Sequence, residues 1–300
     1  MDYRSEYEKW LNNPALSEEG RRELSSVSGD EKEIEYRFGA ELEFGTAGMR
    51  GIIGYGTNMM NVYTVRRATQ GLSEYIKSLG AAAMKRGVVI SYDTRRKSDE
   101  FARAAAGVLA ANGITAFLFG DVHPVPMLSY AVRRLGTAAG IMITASHNPK
   151  EYNGYKVYGE DGAQMSPEAT DIVVGYIEKI SDYFSVKEEG KSPLVKKVPG
   201  SVDKSYYKKL ARLTLSPEAV KKAGKTLKLV YTPVHGSGYV PVTTILKKLK
   251  INVTVVPEQV KKDTEFSTVE VPNPEFKETL SMGIALAQKI DADVVFGTDP

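Results

Sequence analysis

The chain has 300 residues, of which 42% are hydrophobic and 26% are charged. This composition is ordinary for a soluble globular protein, and the length suits roughly two domains. The 40 Lys and Arg residues exceed the 37 Asp and Glu residues by only three, too small a margin to indicate a nucleic-acid-binding protein. No cysteine is present, which excludes disulfides, thiolate metal sites and cysteine nucleophiles and fits a reducing compartment.

Neither a targeting signal nor a membrane span is evident in the sequence. The N-terminus is mostly charged, and no apolar segment reaches the ~18 residues that a span requires. We therefore expect a soluble, cytoplasmic protein with no nucleic-acid partner and no membrane partner. The sequence leaves its oligomeric state unknown.

The first half of the chain predicts alternating helices and strands. Residues 1–38 predict a helical extension, and Asn61 is a suitable cap for an amphipathic helix that Gly80 would end. Short apolar runs then alternate with helical patterns: strand 88–92, helix 98–111, strand 114–119, a helix from near Pro126, and strand 140–145. This order predicts a mainly parallel sheet with right-handed crossovers.

A charged segment over residues 183–201, interrupted by glycine and proline, predicts the connection to a second α/β unit. The elements predicted there are strand 227–231, helix 240–249, strand 253–256, helix 275–289 and strand 294–296. The predicted divisions are an extension over residues 1–38, a first domain over 39–200 and a second over 201–300. The predicted fold class is α/β, with mixed, mainly parallel sheets and flanking helices.

Ligands of open parallel sheets gather at the carboxyl ends of the strands, so the residues after each strand are the first candidates. Four such segments contain polar residues or glycine: residues 93–96, 146–148, 232–238 and 297–299. They form a consistent set of candidate site segments.

Ser146 is a hydroxyl nucleophile at the point where a buried strand gives way to a loop. Pro149 disfavours helical geometry at Asn148, and the dipeptide Asn153-Gly154 predicts the turn that brings the chain back. Such a hairpin would set Lys156 facing Ser146. On these residues alone, a turn-rich surface loop that happens to contain a serine is an alternative interpretation.

The segment 44–56 contains five glycines around Arg50. Glycines let backbone amides approach a ligand closely, and the Arg50 guanidinium could hold a phosphate bidentately. A glycine-rich turn with a solvated arginine is an equally supported interpretation of this segment. The chain lacks a strand-linked Gly-x-Gly-x-x-Gly motif, a P-loop and a Gly-x-Ser-x-Gly elbow, which argues against nucleotide binding of those kinds and against serine-hydrolase chemistry.

The three histidines and one aspartate complete the candidates. His147 is expected to shape the loop or contact phosphate. His123 is expected to be a structural turn residue. For His235, a place at a domain interface and a place in a site are equally supported. Asp299 follows the last strand and is the type of ligand that Mg²⁺ takes in phosphoryl transfer, although one carboxylate does not make a site.

Four motifs taken together resemble the α-D-phosphohexomutases, especially the phosphoglucomutase branch that includes phosphopentomutases. They occur in family order over residues 45–51, 144–149 with 153–156, 232–238 and 297–300. The resemblance implies the N-terminal half of a four-domain mutase, with the second domain incomplete. The family's Asp-x-Asp-x-Asp-Arg metal loop would begin at Asp299, with its other ligands and two further domains after Pro300.

By this resemblance Ser146 is phosphorylated and hands its phosphoryl group to a sugar phosphate. Glucose 1,6-bisphosphate would be the intermediate and activator. Phosphoserine and substrate together bring about four negative charges, so Mg²⁺ and nearby cations are needed. The implied catalytic residues are Ser146, Lys156, Arg50 and His147, with Lys156 and Arg50 assisting proton transfer. The implied substrate- or phosphate-binding residues are Arg50, Arg95, Asn148 and Lys156, and the implied metal ligands are phosphorylated Ser146 and Asp299.

The leading expectation is an isomerase of carbohydrate metabolism that interconverts glucose 1-phosphate and glucose 6-phosphate. Phosphopentomutase and phosphomannomutase are the alternatives of the same class. The 300 residues by themselves are expected to be inactive or nearly so. A non-catalytic phosphosugar-binding or regulatory protein is the alternative of another class, and a serine-dependent hydrolase would need a base near Ser146.

Overall fold

The computed structural model describes residues 2–46 and 48–300, so Met1 and Ala47, which belongs to the glycine-rich motif, lie outside the described residues. Three short helices come first: α1 (Tyr3–Leu11), α2 (Glu18–Ser26) and α3 (Glu31–Phe38). Each begins at a side chain that accepts a backbone N–H of the first turn. These capping side chains are Asp2, Ser17 and Asp30.

Trp10 is the centre of the core that joins these helices to the rest of the molecule. Its fully buried ring lies between 5.1 and 5.7 Å from the rings of Phe38, Tyr63, Tyr183 and Phe184. Offset aromatic contacts of this kind add to the stabilisation from burial. The extension therefore packs against the first α/β unit.

A six-stranded sheet forms the first unit. Its strands are β1 (Gly48–Ile52), β2 (Val88–Tyr92), β3 (Ala116–Leu118), β4 (Ala139–Ile143), β5 (Tyr152–Tyr158) and β6 (Val195–Lys197). They lie in the order β1-β5-β4-β2-β3-β6. Strands β2, β3, β4 and β6 are parallel, whereas β5 is antiparallel to both β1 and β4. The expected mixed, mainly parallel sheet is confirmed.

Helices cover both faces of this sheet: α4 (Val62–Ser78), α5 (Ala81–Arg86), α6 (Ser98–Ala111), α7 (Val125–Leu135) and α8 (Pro167–Ile177). Alternate residues of β2 belong to opposite faces, so Val88 and Ile90 pack with α4, α6 and α8 while Val89 packs with α7. Burial of both faces explains the continuous apolar run of this strand.

The second unit has a three-stranded parallel sheet with strand order β8-β7-β9. Its elements are α9 (Ser201–Arg212), α10 (Pro217–Thr226), β7 (Leu229–Thr232), α11 (Tyr239–Lys248), β8 (Val253–Val255), α12 (Ser281–Ile290) and β9 (Val294–Gly297), with short 3-10 turns at Pro257–Gln259 and Glu278–Leu280. None of the helices in the described ranges is both long and apolar enough to cross a membrane.

Three local predictions differ from the structure. Asn153-Gly154 is not a turn, because both residues lie inside β5, and the chain reverses through two turns over residues 145–152 instead. Part of the glycine-rich segment forms β1, which pairs with β5. The segment 183–201 contributes β6 to the first sheet, where it pairs with β3.

Long-range pairing explains all three differences. Local sequence assigns glycine and asparagine to turns, but here Gly154 lies where two other backbones approach closely. A Cβ on Gly154 would meet the Thr144 carbonyl oxygen at 2.6 Å and the Met49 carbonyl oxygen at 3.0 Å. Glycine therefore permits the pairing that makes this segment a strand.

Candidate active site

The serine loop (residues 144–151) connects β4 to β5 and carries Ser146. Ser146 has a φ of 57°, in the left-handed region, which is uncommon for a residue other than glycine. Its backbone N–H donates a 2.9 Å hydrogen bond to the Thr144 hydroxyl. Strained backbone conformations of this kind cluster at active sites, where the surrounding structure holds them.

Two polar side chains, those of Asp299 and His147, lie close to the Ser146 hydroxyl. Its Oγ donates a 2.8 Å hydrogen bond to Oδ2 of Asp299, which follows β9 in the second unit. The Nδ1 of His147 lies 3.0 Å from the same carboxylate oxygen and 3.5 Å from Ser146 Oγ. The structure thus brings together the predicted nucleophile, the predicted metal ligand and the predicted histidine.

Lys156 lies on β5, opposite Met142 of β4. It shares a cavity of about 180 Å³ with Ser146 and Asp299. Burial, followed by the positive charge of Arg50, lowers the pKa of the Lys156 amine. Lys156 and Ser146 therefore line one cavity, and strand pairing, not a turn at Asn153, places Lys156 there.

Arg50 lies on β1, opposite Gly154 of β5. Its guanidinium donates a 2.9 Å hydrogen bond to the side-chain oxygen of Asn148, in the serine loop. Both side chains are on the exposed side of the loop, where a phosphate could contact them. The two predicted ligand-binding residues are therefore adjacent.

Arg95 has a different position from the one its predicted phosphate contact would require. Its side chain is fully buried, and its guanidinium donates to backbone carbonyls of Ser146 (2.6 Å), Asn148 (2.5 Å), Pro149 (2.8 Å) and Tyr152 (3.1 Å). These contacts use both terminal nitrogens of the guanidinium within the protein. The geometry favours a role in holding the serine loop over a direct contact with phosphate.

Asp93 is the buried partner of Arg95. Its Oδ1 accepts from the Ser98 hydroxyl at 2.6 Å and from the Arg95 backbone N–H at 3.0 Å, and its Oδ2 lies 3.5 Å from Arg95 Nε. Burial raises the pKa of the Asp93 carboxyl, against the opposing effect of the Arg95 charge. The Asp93 carboxylate thus fixes the backbone of Arg95, whose side chain spans the serine loop.

The other two histidines have structural contacts. His123 lies 3.2 Å from Asp203 and stacks on Phe119 with a centroid distance of 4.1 Å, as expected for a turn residue. His235 is buried, with ring nitrogens 2.8 Å from the Lys261 carbonyl and 2.7 Å from the Thr268 hydroxyl. His235 thus organises a loop of the second unit and does not line the cavity at Ser146.

Mg²⁺ prefers oxygen ligands, and Asp299 fits that preference. Phosphorylation of Ser146 would place further oxygens beside the Asp299 carboxylate. Within residues 2–46 and 48–300, no group of three or more His, Asp or Glu residues is arranged to hold a metal ion. These two residues therefore fit as part of a magnesium site and supply an incomplete set of ligands.

Comparison with known proteins decides the family. The family model described as phosphoglucomutase/phosphomannomutase, alpha/beta/alpha domain I, matches residues 41–184, and the model for alpha/beta/alpha domain II matches residues 204–300. The chain belongs to the phosphoglucomutase/phosphomannomutase family. The resemblance inferred from the four motifs is confirmed.

Similar proteins of this family are mutases of about twice the matched length. A phosphopentomutase of Mus musculus is 38% identical over 97% of this chain and 48% of its own length. A phosphoglucomutase of Staphylococcus aureus strain N315 is 40% identical over 90% of this chain and 49% of its own length. The chain thus spans about half the length of these curated relatives.

A solved structure supports the fold assignment. The phosphoglucomutase/phosphomannomutase family protein of Burkholderia thailandensis superposes with a TM-score of 0.66 at 22% identity, over 85% of this chain and 52% of that one. At this identity the likeness concerns the fold alone. It agrees with the two α/β units described above.

Two residues of the site were not predicted from the sequence. The sequence predicts a turn at Asn153. In the structure its buried side chain donates to the Arg96 carbonyl at 3.0 Å and to the Ser98 hydroxyl at 2.9 Å. Phe266 lies over the Arg95 guanidinium, with 5.2 Å from Cζ to the ring centroid. The position of Asn153 after the serine loop was a usable signal, whereas nothing in the sequence pattern singles out Phe266.

Proposed function

We propose that the protein carrying this sequence interconverts glucose 1-phosphate and glucose 6-phosphate through a phosphoserine at Ser146. The observation that carries the proposal is the 2.8 Å contact of Ser146 with Asp299, beside a cavity shared with Lys156. A hydroxyl placed between a carboxylate that suits Mg²⁺ and a partly desolvated amine is suited to phosphoryl transfer. Family membership supports the same reaction class.

The proposed transfer moves one phosphoryl group at a time. A hydroxyl oxygen of the sugar phosphate bonds to the phosphorus of phosphorylated Ser146 as the bond from that phosphorus to Oγ breaks. The sugar hydroxyl releases a proton, and the serine oxygen takes one up. The bisphosphorylated sugar then returns its other phosphoryl group to Ser146 by the same step in reverse, so no phosphate is consumed.

Lys156 is the proposed proton acceptor for the sugar hydroxyl. Its lowered pKa increases the share of neutral amine, the form that can accept a proton. Arg50 is the proposed partner in proton transfer and a cation for the phosphate. Asn148, held by Arg50, and His147, beside Asp299, would orient the phosphoryl group.

Mg²⁺ is the proposed cofactor, held by phosphorylated Ser146 and Asp299 together with further ligands. When bound, it would neutralise charge on the transferring phosphoryl group. Glucose 1,6-bisphosphate is the proposed activator that charges Ser146. A cytoplasmic location is proposed with these roles, because phosphosugars are the expected substrates.

Phosphopentomutase activity is a second candidate, favoured by the 38% identity to the mouse phosphopentomutase. Phosphomannomutase activity stays an alternative within the family. Because the chain spans about half of these relatives, we further propose that residues 1–300 alone turn over little or no substrate. A non-catalytic phosphosugar-binding role would be favoured if the full-length protein carried no phosphoryl group on Ser146.

The test is intact-mass measurement of the full-length protein after incubation with glucose 1,6-bisphosphate and Mg²⁺. We expect one phosphoryl group per chain, none on Ser146→Ala, and an unchanged mass gain on the control Ser78→Ala, an exposed serine at the end of α4. Relative kcat/KM values for glucose, ribose and mannose 1-phosphates then separate the three mutase activities. No phosphoryl group on an otherwise active wild type would overturn the proposal.

A further inference from the structure

Arg95 connects nearly the whole serine loop through one side chain. The four carbonyls that its guanidinium contacts belong to Ser146, Asn148, Pro149 and Tyr152, from the nucleophile to the first residue of β5. A planar guanidinium has five N–H donors in a fixed fork, whereas a lysine ammonium is a point charge with three. Only arginine can make this set of contacts from one position.

The Arg95 guanidinium also lies over the ring of Phe266 of the second unit, with 5.2 Å from Cζ to the ring centroid. Phe266 is 1% exposed and has a φ of 48°, in the left-handed region. A bulky residue in this conformation is strained unless the surroundings hold it there. A buried cation over an aromatic face is a favourable contact, stronger when both groups are desolvated.

The Phe266 segment (residues 261–268) is held by a buried histidine of its own unit. His235 contacts the Lys261 carbonyl at one end of the segment and the Thr268 hydroxyl at the other. Its ring also meets the edge of Phe266 with a centroid distance of 6.4 Å. The ring of Phe266 is therefore presented by a rigid support.

This segment also forms exposed ion pairs with the first unit. Glu265 lies 2.9 Å from Lys150 of the serine loop, and Lys262 pairs with Asp121. Exposed pairs contribute little to stability and are screened by salt. The buried contact of Arg95 with Phe266 is therefore better suited than these ion pairs to fix how this segment meets the serine loop.

We propose that Arg95 and Phe266 are positioning residues that couple the second unit to the conformation of the serine loop. Arg95 and Ser146 belong to the first unit, whereas Phe266 and Asp299 belong to the second. Phe266 orients the guanidinium, the guanidinium holds the loop carbonyls, and Ser146 keeps the left-handed conformation that presents Oγ to Asp299. The inference rests on the proposed function only where it concerns catalytic rate.

The first test uses hydrogen exchange, which needs no catalytic activity. Phe266→Leu keeps an apolar side chain but removes the aromatic face, and Phe276→Leu, at a half-exposed phenylalanine of the same unit, is the matched control. We expect faster exchange at the Ser146 and Asn148 amides in Phe266→Leu, although the substitution is in the other unit. Phe266→Tyr should restore wild-type exchange, and equal exchange in Phe266→Leu and wild type would overturn the coupling.

The second test uses kinetics of the full-length protein. Because misplacement of a reacting group by 1 Å can cost about 100-fold, we expect Arg95→Lys to lower kcat by about 100-fold. KM for the phosphosugar should change far less, since Arg95 does not face the cavity. Arg96→Lys is the matched control, because Arg96 is the exposed neighbour.

The outcomes are distinguishable. An Arg95→Lys protein that is folded and keeps the wild-type kcat would overturn the proposal, as would a loss that appears mainly in KM. If Arg95→Lys does not fold, Phe266→Leu and Phe266→Tyr give the same comparison. If the wild type transfers no phosphoryl group, the proposed function fails, and the exchange measurements still decide the coupling.

Discussion

Ser146 and Asp299 are 153 positions apart in the chain, and the Ser146 hydroxyl donates a 2.8 Å hydrogen bond to the Asp299 carboxylate. The two residues follow strands of different sheets, β4 and β9. The site therefore exists only where the two units meet. Substitution of Asp299 should therefore affect transfer more than folding.

Asp299→Asn keeps the shape of the side chain and removes its charge. Because the Asp299 side chain is 44% exposed, we expect the free energy of unfolding to change by less than ~1 kcal/mol. The transfer rate of the full-length protein should fall by about 100-fold or more, as for loss of other groups aimed at developing charge. The half-saturating Mg²⁺ concentration should rise. Asp291→Asn, at a fully exposed aspartate, should leave the transfer rate and the half-saturating Mg²⁺ concentration unchanged.

Lys156→Met tests the amine at the cavity. Burial lowers the pKa of Lys156 in the folded protein, so the charged amine is destabilising below that pKa. The penalty disappears as pH rises from the folded pKa to the unfolded value of about 10.4. We expect Lys156→Met to be more stable than wild type at neutral pH, with the difference shrinking as pH rises through that window. Denaturant unfolding at several pH values measures it.

The same substitution should abolish the pH dependence of transfer. If neutral Lys156 accepts the sugar proton, kcat/KM of the wild type rises with pH through the folded pKa and then levels off. Lys156→Met should be slow at every pH. Lys187→Met, at an exposed lysine, should behave as wild type, and a Lys156→Met protein with the wild-type pH profile would exclude Lys156 as the base.

Helices and strands could be predicted where their own sequence carries the pattern that defines them. Strand β2 and helix α6 have the bounds that the sequence predicts. A continuous apolar run specifies the strand, and the acidic residues Asp99 and Glu100 in the first turn mark where the helix begins. Strands β1 and β5 were not predicted, since Arg50, Asn153 and Gly154 lack strand propensity. Pairing with distant strands overrides that local preference.

The sequence predicts which residues belong to the site, but it does not predict how their side chains are arranged. The strand-end rule places Arg95 and Ser146 after strands of the first sheet and Asp299 after a strand of the second. The structure brings the two strand ends together through the contact of Ser146 with Asp299. The rule could not say that Arg95 is directed into the serine loop, because that depends on the buried Asp93 and on Phe266. Side-chain direction is fixed by packing that one sequence does not display.

Asn153→Ala tests the anchor between the serine loop and α6. Asn153 is fully buried and donates to the Arg96 carbonyl and the Ser98 hydroxyl. Removing it leaves buried polar groups without partners, so we expect a loss of ~1–3 kcal/mol in the free energy of unfolding. Urea unfolding should show a lower midpoint with an unchanged slope. Asn252→Ala, at an exposed asparagine, should not shift the midpoint.

Gly154→Ala tests the close approach of three backbones beside the serine loop. The added Cβ would lie 2.6 Å from the Thr144 carbonyl oxygen and 3.0 Å from that of Met49, so the start of the serine loop or strand β1 must move. We expect a loss of ~1–3 kcal/mol in the free energy of unfolding. Movement of Thr144 would also displace Ser146, which lowers kcat for transfer more than it raises KM.

Gly175→Ala is the control with the opposite sign. Gly175 lies in α8, and a Cβ there would have no heavy atom within 4 Å. Alanine loses less conformational freedom on folding than glycine, so the free energy of unfolding should increase by ~0.5–1 kcal/mol with no change in kcat. If Gly154→Ala were also neutral or stabilising, the strands at Thr144 and Met49 would be looser than the structure indicates, and the serine loop would not be fixed by this packing.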